Sequence, residues 1–246
     1  MTGTFLNMAT VLVGALLGIV VGRHIPVRFR ETVMDGIGLI TAVIAITMAI
    51  TSRNPLIPMG AVLLGGLIGE ALHIERRMNH LGQWAEQRLG TRMGPDAVEG
   101  WSVARAFVTT SLVFCVGPLT ILGSIQDGLL GDYKLLAIKS TLDGFASLVF
   151  AAALGPGVLL TLITILMVQG GISVAAMFLG SALGSVTNTT PWVIEMSATG
   201  GVLLLAIALG LLDLKRIRAA NLLPAVIVAP ILTQAVEAIQ ALIHHP

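Results

Sequence analysis

The chain has 246 residues, of which 55% are hydrophobic and only 11% charged, with a mean hydropathy of +0.93. A soluble domain of this size carries about 25% charged residues, so the composition excludes an ordinary soluble protein and points to an integral membrane protein. A net charge of +1 offers no footprint for nucleic acid, and the single cysteine, Cys115, excludes an internal disulfide and a cysteine-based metal cluster.

Eight apolar segments follow one another along the chain. Segment 1 runs from about Phe5 to Val21, segment 2 from Val33 to Ile50 and segment 3 from Leu56 to Ile74. No Lys or Arg precedes the first, which predicts a retained helix rather than a cleaved signal peptide. Gly14, Gly18 and Gly22 line one face of segment 1, and Gly65 and Gly69 one face of segment 3. Small residues at that spacing let helices approach closely, first within the chain and, as a second reading, in a homo-oligomer. After segment 3, Ile74, Met78, Leu81, Ala85 and Leu89 recur at helical spacing, which predicts an amphipathic helix on the membrane surface.

Segment 4, Val103 to Ile125, is interrupted by Gly117-Pro118. Pro118 offers no N–H to the carbonyl of Phe114, so a kink or break is expected there. Ser124, Gln126, Asp127 and Asp132 come next, among glycines. A broken helix at a polar pathway and a packing kink before a solvated loop are both open readings. Segment 5, Tyr133 to Leu154, carries Lys139, Ser140, Asp143 and Ser147 at spacings of three and four, hence on one face. Asp143 falls near the middle of this run. Charges at that depth face the protein interior or a water-filled cavity and mark pathways or relays; the plainer alternative is a structural salt bridge, extended through Asp127.

Segment 6, Val158 to Leu183, exceeds the length needed to span and contains Gln169 beside Gly170-Gly171, so a break there is an option. Segments 7 and 8 run from Ile194 to Leu212 and from Ala219 to Ile243. With eight crossings, eleven of the 14 Lys and Arg residues fall in loops on one side, which places that side in the cytoplasm and both termini outside. "MDGIGLITAVIAITMAI" from Met34 resembles "MSATGGVLLLAIALGLL" from Met196, with Gly38 over Gly200. Segments 1–3 would then recur, inverted, as segments 6–8, an arrangement common in transporters. The expected organisation is all-α. It is a single membrane domain with a first repeat over 1–74, a surface helix and loop over 75–102, central helices over 103–156 and a second repeat over 157–246.

No motif asks for a cofactor, and Glu70-Ala-Leu-His73 is half a di-iron site without its partner. Hydrolase, zinc-protease and phosphate-loop signatures are absent from the sequence, so no enzyme is expected.

"CVGPLTILGSIQDGLLGDYKLLAIKSTLDGFAS" (Cys115 to Ser147), "GGLIGEALHIE" (Gly65 to Glu75) and "GGVLLLAIALGLLDLKRIRAANLLPA" (Gly200 to Ala225) resemble the bacterial family called domain of unknown function 554, the YqgA-type membrane proteins. The resemblance implies a bacterial inner-membrane location and joins "GSIQDG" and "KSTLDG" in one signature region. On the residues, the expected activity is a secondary transporter or ion-coupled permease for an unknown small solute or ion. Lys139, Asp143 and Asp127 would couple charge there, and Ser124, Gln126, Ser140 and Ser147 would supply hydrogen bonds. A non-transporting scaffold or a channel is the alternative.

Overall fold

A computed structural model describes residues 1–93, 102–115, 117–179, 186–187 and 189–244, and all regular structure among them is helical. Residues 94–101 of the expected surface loop and the end of segment 6, up to Leu183, lie outside the described residues. Among the described residues six helical stretches are long and apolar enough to cross a membrane, or up to eight if each of two bent pairs counts as one span. The chain divides into two compact units, one made of residues 1–36 and 76–186, the other of 37–75 and 187–246.

The first unit is built on α1 (Thr2–Gly22) and α7 (Lys134–Leu154), each 21 residues. At 1.5 Å per residue each is about 30 Å long, the thickness of a bilayer's hydrocarbon core. The two helices pack backbone to backbone. A Cβ on Gly14 would overlap the carbonyl of Gly144, one on Gly18 that of Leu148, and one on Gly22 that of Ala152. The glycine stripe of segment 1 is therefore used inside the chain. The outward face of α1 exposes Phe5, Val13, Leu17 and Val20, as a lipid-facing surface would.

Segment 4 is two half-length helices, α5 (Val103–Cys115) and α6 (Pro118–Leu130), whose axes differ by 62°. At 13 residues, about 20 Å, neither crosses a bilayer by itself. Gly117 is the N-cap of α6, and Gly131, with φ of 68°, ends it in the left-handed conformation that glycine adopts without strain. Segment 6 is also irregular. A 3₁₀ turn (Pro156–Leu160) leads into α8 (Thr161–Ile165), then a π turn over Leu166–Gly170, then α9 (Gly171–Leu179). α4 (Ile74–Met93) completes the unit from Arg76 onward, and α2 (Val27–Ala49) belongs to it up to Gly36.

The second unit holds the rest of α2, α3 (Leu56–Ala71), α10 (Pro191–Leu211), a 3₁₀ turn (Ala219–Leu222) and α11 (Ala225–His244). α3 lies against the entry to α11. A Cβ on Gly65 would meet the backbone of Ala225, and one on Gly69 the carbonyl of Asn221. Segment 3 stops at Ala71, short of the Ile74 expected, because the chain turns through His73 at φ of 53°.

Candidate functional site

Lys139, Ser140, Asp143 and Ser147 do share the buried face of α7. The Lys139 ammonium and the Asp143 carboxylate form an ion pair on Oδ2, and Asn7 of α1 donates through Nδ2 to the same oxygen at 3.0 Å. Lys139 and Asp143 are 6% and 8% exposed. Taking two charges out of water is costly, and such a pair persists only when further hydrogen bonds and good geometry support it. Asn7 supplies one, and Phe114, near the end of α5, lies 6.0 Å from Nζ, within cation–π range. The pair thus sits on α7 next to the point where α5 gives way to α6.

The other predicted residues divide. Asp127 is buried but does not extend the pair. It accepts the Gly3 N–H at 3.1 Å and lies 3.1 Å from the Met1 amine, an acid at the N-terminal end of α1. An anion there is favoured by the helix dipole and by the unpaired N–H groups of the first turn. Ser124 donates to the carbonyl of Thr120, Ser140 to that of Ala137 and Ser147 to those of Val11 and Gly144. Their hydroxyls serve helix backbone and helix packing. Gln126 is half-buried, and Asp132, on the connection before α7, accepts the Lys134 N–H at 3.1 Å. Gly117 and Pro118 sit at the α5–α6 break.

In the same unit as the pair, several fully buried polar atoms have no partner. They are Thr4 Oγ1, Asn7 Oδ1 and both amide atoms of Gln169. Gln169 belongs to the π turn, which packs on the first turns of α1. A Cβ on the adjacent Gly170 would lie 3.9 Å from Thr4 Cγ2. Thr4 is one turn before Asn7, so the unpaired atoms belong to one region of the unit. π turns are rare and occur often at functional sites.

The second unit contains polar groups of a different kind. Glu195, 2% exposed, accepts Ser52 Oγ at 2.6 Å and the N–H groups of Arg53 and Asn54 at 2.8 and 3.1 Å. Nothing in the motif reading singled it out, although it is the one charged residue between Asp143 and Asp213. Farther along, Asn221 donates to Glu70 at 2.6 Å and accepts the Glu75 N–H at 2.7 Å, Arg218 donates to Glu70 at 2.6 Å, and Glu75 accepts the Ala220 N–H at 3.0 Å. Glu70 is thereby part of a clip around the end of α3. Burial pushes the Glu75 carboxyl above the ordinary range, against the opposing pull of the Ala220 N–H and the Arg218 charge. Among the described residues no group of three or more His, Cys, Asp or Glu could hold a metal ion.

The family model described as protein of unknown function DUF554 matches residues 2–234. The chain is 29% identical over 243 residues to the uncharacterized membrane protein YdfK of Bacillus subtilis, covering 97% of this chain and 98% of the relative. It is 32% identical over 227 residues to the uncharacterized protein YqgA of Escherichia coli, covering 92% and 94%. No solved structure matches it. With the match to nearly the whole chain and its apolar helices long enough to span a bilayer, this chain belongs to the DUF554 family and is a helical membrane protein.

Proposed function

We propose that the chain is a secondary transporter of the bacterial inner membrane that moves a small solute or ion by coupling it to the Lys139–Asp143 pair. The observation that carries this is the pair itself: two opposite charges buried within a spanning helix, Asp143 near its middle and Lys139 one turn nearer its start, held by Asn7 beside a broken helix. Intramembrane charges are rare and mark pathways and relays, and broken helices at that depth supply backbone groups to a site. No chemical conversion is part of this function.

Packing within the second unit supports the inverted repeat. Gly38 of α2 lies against Leu211 and Leu212 at the end of α10, and Gly201 of α10 against Ala45 and Ala49 of α2. Gly65 of α3 meets Ala225 of α11, and Gly60 faces Leu232. These contacts are reciprocal, as a two-fold relation between α2–α3 and α10–α11 requires. Each three-helix segment also contributes its first spanning helix to the first unit and its other two to the second, apart from the opening turns of α2.

A scaffold role is favoured by one observation, the return of the Ser124, Ser140 and Ser147 hydroxyls to backbone carbonyls. The pair separates the two. Asp143→Asn or Lys139→Met alone leaves an uncompensated buried charge or an unfilled partner, and each is expected to destabilise by about 3–5 kcal/mol. The double variant should regain thermal stability. In proteoliposomes loaded with a pH-reporting dye and challenged with proton and sodium gradients, the parent should show flux and the stable double variant none. Full flux in the double variant, or none in the parent, removes the transport function assigned to this pair.

A further inference from the structure

We propose that a small monovalent cation, sodium in preference to potassium, binds among Thr4, Asn7 and Gln169, beside the Lys139–Asp143 pair. On the transport function above, it is the coupling ion.

All three side chains are 0% exposed, and Thr4 Oγ1, Asn7 Oδ1 and Gln169 Oε1 lack hydrogen-bond partners. A protein interior rarely keeps several such groups in one region without an occupant, because each has given up its hydration for nothing. The orientation of Asn7 is set by its other end. Nδ2 donates to Asp143, which turns Oδ1 away from the carboxylate as a free acceptor. Gln169 is carried on the π turn, where the regular helical hydrogen-bond ladder is interrupted. The unpaired set is thus rich in neutral oxygen; Asp143 is bonded to it through Asn7, and Asp127, held by the Gly3 N–H and the Met1 amine, lies at the Thr4 end.

Oxygen donors are what hard cations take. A divalent ion is disfavoured, because each of the two carboxylates near this set is already matched by a cation, Asp143 by Lys139 and Asp127 by the Met1 amine. Size argues for sodium. The unpaired atoms are sealed from any water-sized sphere, and a bare sodium ion is smaller than a water molecule while potassium is about as large. A cation held on Asn7 Oδ1 also acts on the pair, since it competes with the Lys139 ammonium for the field of Asp143. Ion occupancy is thereby linked to the strength of the ion pair.

The test is thermal unfolding of the purified full chain in detergent, titrated with sodium chloride or potassium chloride against choline chloride at fixed ionic strength. Sodium should raise the midpoint saturably, and potassium should need at least about tenfold more for the same shift, a difference of about 1.4 kcal/mol in affinity. Thr4→Val keeps the shape and removes an unpartnered hydroxyl, so it should fold and yet bind sodium about tenfold more weakly. Gln169→Leu is the second variant, with the same expectation. Equal responses to sodium, potassium and choline, or an unchanged sodium response in both variants, overturn the site; the atoms are then simply sealed or hydrated. Sodium binding without flux in the parent removes transport and leaves the ion site standing. Gradient-driven flux with no sodium response does the reverse.

Discussion

Both units bury polar side chains, but they treat them differently. In the second unit Glu195 accepts three hydrogen bonds and Glu70, Glu75, Asn221 and Arg218 close on one another. In the first, which holds a buried ion pair, Thr4, Asn7 and Gln169 keep unpaired atoms. A saturated network stabilises one arrangement and leaves nothing for a ligand, whereas a set of unpaired groups lowers stability until something binds. Burial of polar residues alone therefore does not mark a site. What distinguishes the two is whether the hydrogen bonds close.

The largest effect expected of this contrast is at Glu195. Glu195→Ala strands the Ser52 hydroxyl and the N–H groups of Arg53 and Asn54, and should destabilise by about 3 kcal/mol or more. Glu195→Gln, which keeps an accepting oxygen, should lose about half as much; thermal unfolding of both variants measures it. If the alanine variant melts with the parent, the second unit is not held by this carboxylate and the contrast fails.

A change of opposite sign is expected in the first unit. Gln169→Leu replaces a buried, unpartnered amide by an apolar group of similar size. In choline chloride, with no sodium, it should raise stability by about 1–2 kcal/mol. Destabilisation in that buffer would mean that Gln169 is bonded in the membrane protein and that both units are saturated alike.

The smallest effect is a pH dependence from Glu75. Its folded-state pKa lies above the ordinary glutamate value, so the folded chain holds the proton more tightly than the unfolded chain. The resulting stability is present in full below the ordinary value and is lost as pH rises through the raised one. Glu75→Gln should flatten this slope in the range above the ordinary glutamate value, by less than about 1 kcal/mol, since the group is only partly desolvated and Arg218 opposes the shift. Equal slopes in parent and variant would detach the clip from the pH response.

Much of this molecule was legible from its residues. Composition and continuous apolar runs called for membrane helices, and the spacing of Lys139 and Asp143 placed them on one face of α7, because helical period and the cost of burying charge act locally. Pro118 likewise announced the break between α5 and α6, since a missing N–H cannot be supplied by any neighbour. The partners of these groups are another matter. That Asn7 completes the pair, that Asp127 turns to the start of α1 and not to Lys139, and that Glu195 closes the turn at residues 52–54 depend on contacts between residues more than a hundred positions apart. Spacing along a helix says which face a side chain occupies. Only the packing of one helix on another decides whether its hydrogen bonds are met, and so whether a buried polar residue is a strut or a site.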